Sequence, residues 1–143
     1  DLWESFRTEF EKVHGVALRG AASVEAFARE HQLSFGYCDP ALEAVVRPLL
    51  PKEVRLETTF ERSRVDEYQF GITKASGAIA ETGSIILRDG ETSDRLAALA
   101  PWVHIACVEK SRIVGTVAAA IAAFPDDRNI IFCTGPSKTA DIE

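Results

Sequence analysis

Glu81 stands between two apolar runs, residues 78–80 and 84–87, with Thr82 and Gly83 completing a Glu-Thr-Gly tip. A carboxylate so placed is expected to be partly desolvated, which raises its pKa unless amides or a cation hold it charged. Such a group can act as acid, base or nucleophile, and Glu81 is the candidate catalytic residue. An architectural reading stands beside this one, in which the carboxylate accepts hydrogen bonds from the backbone of its own turn.

The segment TGPSKTADIE, residues 134–143, follows a predicted strand ending at Cys133. Ligands of parallel sheets sit beyond the carboxyl ends of strands. Gly135 lets backbone approach a ligand, Ser137 and Thr139 offer hydroxyls, and Lys138 adds a positive charge, a set suited to a small anion such as phosphate or carboxylate. The Walker spacing is absent. A polar turn has the same composition and is the plain alternative. Gly71, Thr73 and Lys74 form a third, weaker grouping. The candidate ligand-binding residues are therefore Gly71, Thr73, Thr82, Gly83, Ser84, Thr134, Gly135, Ser137, Lys138, Thr139 and Asp141. Cys38, Cys107 and Cys133 are too widely spaced for a zinc or iron–sulfur site or a disulfide framework, and His14, His31 and His104 are as scattered. No metal site is expected, and the cysteines read as reduced and buried.

Elements able to position these residues can be read from periodicity. Leu2, Trp3, Phe6, Phe10 and Val13 predict a helix over 2–13 that Gly15 stops. A short strand is expected at 16–18, then a helix capped by Ser23. A strand over 33–38 leads through Asp39-Pro40 into a helix over 41–47, and 54–58 alternates as a strand. Gly83 predicts a tight hairpin with a positive φ. Farther on, 104–108 reads as a strand, Ser111 as the cap of a helix carrying Ile113, Val117, Ile121 and Phe124, and 129–133 as a second strand. That 30-residue unit predicts two parallel strands joined by a right-handed crossover. The expected class is α/β, with a mostly parallel sheet covered by helices on both faces.

The chain of 143 residues suits one domain over 1–143. Sixteen Lys and Arg against 22 Asp and Glu give a net charge of −6, which argues against a nucleic-acid partner. The longest apolar candidate, 113–124, falls short of the roughly 20 residues a bilayer needs, and no leader pattern is present, so a cytoplasmic protein without a membrane span is expected. There is no methionine, so the numbered chain is expected to lack its native start.

The run GITKASGAIAETGS over 71–84, followed by TGPSKTADIE, resembles the LUD-domain family of lactate-utilisation proteins. Pro101, His104-Ile105 and Ile113-Val114 also fit its pattern. The resemblance is specific from residue 71 onward, while family members continue beyond the ADIE motif with a Gly- and His-containing segment. It implies a three-layer α/β/α fold like that of the NagB, ribose-5-phosphate isomerase and CoA-transferase group. It further implies a role in oxidising lactate to pyruvate, with iron–sulfur clusters in partner subunits, no cofactor in this chain, and a small anionic ligand where the Glu81 tip meets 134–139. The alternative is a stand-alone CoA-transferase-like or sugar-phosphate isomerase-like enzyme using Glu81, since the Glu-x-Gly tip is similar to the turn bearing the CoA-transferase nucleophile. A metabolite-sensing module is the third reading.

Overall fold

The computed structural model describes residues 1–88, 96–125 and 130–135. Two compact units divide the chain. The first comprises Leu18–Lys74 and Asp89–Cys107, and the second Asp1–Ala17, Ala75–Arg88 and Val108–Glu143.

In the first unit, strands β1 (Phe35–Cys38), β2 (Arg55–Glu57), β3 (Phe70–Lys74) and β6 (Val103–Cys107) form a sheet of order β2-β1-β3-β6. Every pairing is parallel, with Gly36 opposite Phe70 and Gly71 opposite His104. One face packs Cys38, Phe70 and Ile72 against Ala28, Val46 and Leu50, while Tyr37, Tyr68 and Ala97 cluster separately. Helices α2 (Ala21–Glu30), α3 (Glu43–Val46) and α4 (Leu96–Leu99) belong to this unit. The expected α/β class with a parallel sheet is thus found here.

Local chemistry sets the boundaries. Asp39 accepts from the Ala41 amide at 2.8 Å and opens the turn before α3, which is shorter than the predicted 41–47 and passes into a 3-10 turn at Arg47–Leu49 where Pro48 has no amide to donate. Helix α2 starts at Ala21 after Gly20, and Ser23 does not cap it: its hydroxyl donates to the carbonyls of Arg19 and Gly20. Gln32, at φ +52°, ends α2, with its own amide on Arg29 and that of Leu33 on Ala28. Residues 16–18, predicted as a strand, form none, and among the described residues no backbone pairs with them.

The second unit holds β4 (Gly77–Ile79), β5 (Ser84–Arg88), β7 (Ile113–Val114) and β8 (Ile130–Cys133) in the order β7-β4-β5-β8. Its directions are mixed: β4 and β5 are antiparallel, β5 and β8 antiparallel, β4 and β7 parallel. Helix α1 (Leu2–Lys12) carries an Asp1 cap on the Trp3 amide, and α5 (Val117–Ala123) packs Ala120 against Ile79 and Ile86. The predicted β-α-β unit over 104–133 does not form, since β6 and β8 belong to different sheets. Ile113 and Val114 pair with Ala78 and Ile79 instead of opening a helix, Ser111 lies in a 3-10 turn, and Thr116 is the true cap of α5. Two consecutive β-branched residues followed by Gly115-Thr116 favour that strand-then-cap arrangement. Among the described residues no helix is long and apolar enough to cross a membrane.

Candidate functional site

The Glu-Thr-Gly tip is the hairpin that the sequence predicts. Ile79 pairs with Ser84, the Gly83 amide donates to the Ile79 carbonyl at 3.0 Å, and Gly83 has φ +65°. A Cβ on Gly83 would lie 2.6 Å from the Glu9 carbonyl carbon and the Phe10 nitrogen, so glycine is required both by conformation and by the closeness of α1.

Glu81 departs from its expected surroundings. Its side chain is exposed, not desolvated, and its Oε2 accepts from the Val117 amide at 2.8 Å. Thr116 Oγ1 accepts from the Ala119 amide at 3.1 Å, so the first turn of α5 has two of its unpaired amides satisfied from different parts of the chain. The backbone around Glu81 is equally engaged, with the amides of Ala80 and Glu81 donating to the carbonyls of Val114 and Gly115. The carboxylate therefore does bond backbone, but that of a helix 36 residues on rather than its own turn. An open groove of about 590 Å³ runs past it, lined by Leu2, Ser5, Thr8, Glu9, Ala80, Glu81 and Gly115. Of the groove's two carboxylates, Glu9 pairs with Lys12 at 2.9 Å.

Hydroxyls connect the tip to the terminal stretch. Thr82 Oγ1 and Ser84 Oγ are 2.7 Å apart, and Ser84 Oγ lies 2.5 Å from Thr134 Oγ1. Ser84 is buried and Thr134 exposed, so the chain of three hydroxyls reaches from the interior to solvent. Gly135, at φ +72°, sits against the Val13 carbonyl. Ser137, Lys138, Thr139 and Asp141 lie outside the described residues.

Gly71 and Thr73 belong to the other unit. Gly71 has no room for a side chain, because a Cβ there would fall 2.0 Å from the Ala97 carbonyl oxygen. Thr73 is fully buried, with its Oγ1 2.7 Å from Nε2 of His104. Burial drives the pKa of His104 down from 6.5 to about 4, so the imidazole is neutral at physiological pH. Sequence reading weighed His104 only as a scattered histidine and as part of the resemblance and gave it no site role; the available signal was a lone polar ring inside the apolar strand VHIAC.

The cysteines are free, and burial raises the pKa of all three, Cys38 to about 12, so they stay protonated and weakly nucleophilic. Cys38 is buried as expected, while Cys107 and Cys133 are partly exposed. Among the described residues no group of three or more His, Cys, Asp or Glu side chains could hold a metal ion.

A family model described as the LUD domain matches residues 20–143. The chain belongs to the LUD-domain family. This LUD domain is 33% identical over 88 residues to lactate utilization protein C of Bacillus licheniformis, an alignment covering 56% of this chain and 37% of that protein. It is 37% identical over 81 residues to lactate utilization protein C of Macrococcus caseolyticus, covering 51% of this chain and 35% of the relative. The matched region thus spans little more than a third of the length of these relatives. The crystal structure of a DUF162 family protein from Deinococcus radiodurans is similar at a TM-score of 0.51 and 21% identity, covering 83% of this chain and 91% of that one. That likeness shows the α/β fold of this LUD domain.

Proposed function

We propose that this chain acts in lactate utilisation, as a component of a system that oxidises lactate to pyruvate together with partner subunits carrying iron–sulfur clusters. The observation that carries the reading is the LUD-domain match over residues 20–143 combined with relatives named lactate utilization protein C. The scattered cysteines of this chain fit a division of labour in which electrons travel through clusters held elsewhere.

In this reading a small anionic ligand binds beside the hairpin tip. Support comes from the Ser84–Thr134 contact, which brings the end of the first sequence motif to the start of the second. Thr82 and Thr134 would offer hydroxyls, and Ser137, Lys138 and Thr139 would complete the set with amides and a positive charge. No cofactor is assigned to this chain, and the cytoplasm, where lactate and the partner subunits would meet, is its proposed compartment.

Reconstitution tests the proposal. The isolated protein, supplied with lactate and an artificial electron acceptor, should show no turnover, and turnover should appear when the iron–sulfur partner proteins are added. Lactate oxidation by the isolated chain, or an equal rate in a mixture lacking it, would overturn the reading.

A further inference from the structure

Three hydroxyls of the mixed-sheet unit stand in line, and the number of their protons limits how they can be arranged. Strands β5 and β8 pair Ile85 with Cys133, so Ser84 and Thr134 meet at the next step of the ladder, with Ser84 Oγ 2.5 Å from Thr134 Oγ1 and 2.7 Å from Thr82 Oγ1. Ser84 is 2% exposed, Thr82 is half-buried and Thr134 is exposed. Each hydroxyl has one proton to donate and lone pairs to accept with. Two contacts take up two of the three protons, and one is left over. Were Thr82 and Thr134 both to donate to Ser84, the proton left over would be that of Ser84, an unmet donor in the interior, which costs free energy. The chain therefore runs one way, from Thr82 through Ser84 to Thr134 or the reverse, and the spare donor appears at one end.

Charge decides which end suits an anion. Thr82 follows Glu81 on the tip, and a carboxylate one residue away repels a negatively charged ligand. Within four residues of Thr134 in the sequence the one charged side chain is that of Lys138. An anion that accepts from Thr134 settles the chain in the sense Thr82 to Ser84 to Thr134. A hydroxyl that accepts one hydrogen bond while donating another is the stronger donor, so the two inner hydroxyls strengthen the outermost one.

We propose that Ser84 and Thr82 are positioning residues for the anion site at the hairpin tip, orienting the Thr134 hydroxyl as the donor to the ligand without touching the ligand themselves. The inference rests on the reading that a small anion binds beside this tip, and it separates the two hydroxyls offered there: Thr134 donates, and Thr82 acts through Ser84. Methyl NMR of threonine-labelled protein reads both ends of the chain, with L-lactate, pyruvate and inorganic phosphate as separate titrants. At least one of the three should shift the methyl resonance of Thr134 and, with the same Kd, that of Thr82. Ser84→Ala should weaken binding of that anion by about threefold to tenfold, the range that a single hydrogen bond supplies, and should abolish the Thr82 shift while the Thr134 shift persists. Thr82→Val should weaken binding less than Ser84→Ala does, and Thr82→Ser should restore it. A Thr82 response that survives Ser84→Ala, an affinity unchanged in that variant, or a Thr134 resonance indifferent to all three anions would overturn the inference while leaving the reconstitution result untouched. Failure to reconstitute lactate oxidation would, conversely, leave the measured coupling of Thr82 to Thr134 standing. The Thr82 pair of variants decides the matter if Ser84→Ala does not fold.

Discussion

Strand β3 of the parallel-sheet unit is buried over its first four residues, and β1 over its last three, so the interior of that sheet is mainly apolar, with Tyr37, Thr73 and His104 its polar side chains. The mixed-sheet unit buries β4 and most of β5 as completely, yet joins them through a tip whose carboxylate, Glu81, holds the backbone of a helix while the hydroxyls of Thr82 and Ser84 bond each other. The conspicuous acid, Glu81, lies in the second unit and caps a helix. The strongly perturbed imidazole, His104, lies in the first, within a strand that reads as plain core. Conspicuous chemistry in a motif and perturbed chemistry in a fold are thus set by different things: the first by residue type, the second by desolvation.

Steric substitutions give the largest contrast. Gly71→Ala drives a methyl group into the Ala97 carbonyl and should cost about 3 kcal/mol or more, enough to unfold the parallel sheet first. Hydrogen exchange resolved by strand should then show β1 and β3 losing protection ahead of β4 and β5. Equal loss in all four would mean that the two units unfold as one and would break the comparison.

Acid should separate the units next. The folded-state pKa of His104, about 4, lies below its ordinary 6.5, so between those values the unfolded chain binds more protons. The stability this group contributes is present above pH 6.5 and drains as pH falls toward 4, by at most about 3 kcal/mol. Urea denaturation of the wild type and His104→Gln across that window checks it, with the variant expected to show the shallower dependence on pH.

Gly83→Ala strains a left-handed residue against the α1 backbone and should destabilise the mixed-sheet unit by about 2 kcal/mol, read as a lower urea midpoint. Smaller again are the caps of α5. Thr116→Ala and Glu81→Ala should each cost about 1 kcal/mol by removing an acceptor from the helix's first turn. Glu81→Gln, which keeps a side-chain oxygen, should recover most of that loss. If Glu81→Ala leaves stability unchanged while Thr116→Ala does not, the carboxylate is not structural and the comparison between the units must be redrawn.

Much of the fold was legible where neighbours in the chain decide the outcome. Helix α1, the hairpin with its positive-φ glycine, the strand before Asp39 and the strand beginning near His104 follow from short-range patterns of apolar and turn residues. The crossover over 104–133 was misread because Ile113, Val117, Ile121 and Phe124 fit a helical period, while the partner that draws Ile113 and Val114 into a strand lies at Ala78 and Ile79. Helical spacing cannot reveal a competing sheet edge so far away in the chain.

The site divides along the same line. From its sequence alone this protein has an acidic hairpin tip, hydroxyl-bearing segments at 82–84 and from 134, and the two motifs that mark a LUD domain, all properties of residues and their near neighbours. Only the tertiary structure decided that Ser84 meets Thr134, that Glu81 serves a helix 36 residues away, and that His104 loses its charge. Hydrogen-bond partners and local dielectric are supplied by groups remote along the chain, and residue spacing carries no record of which of them will arrive.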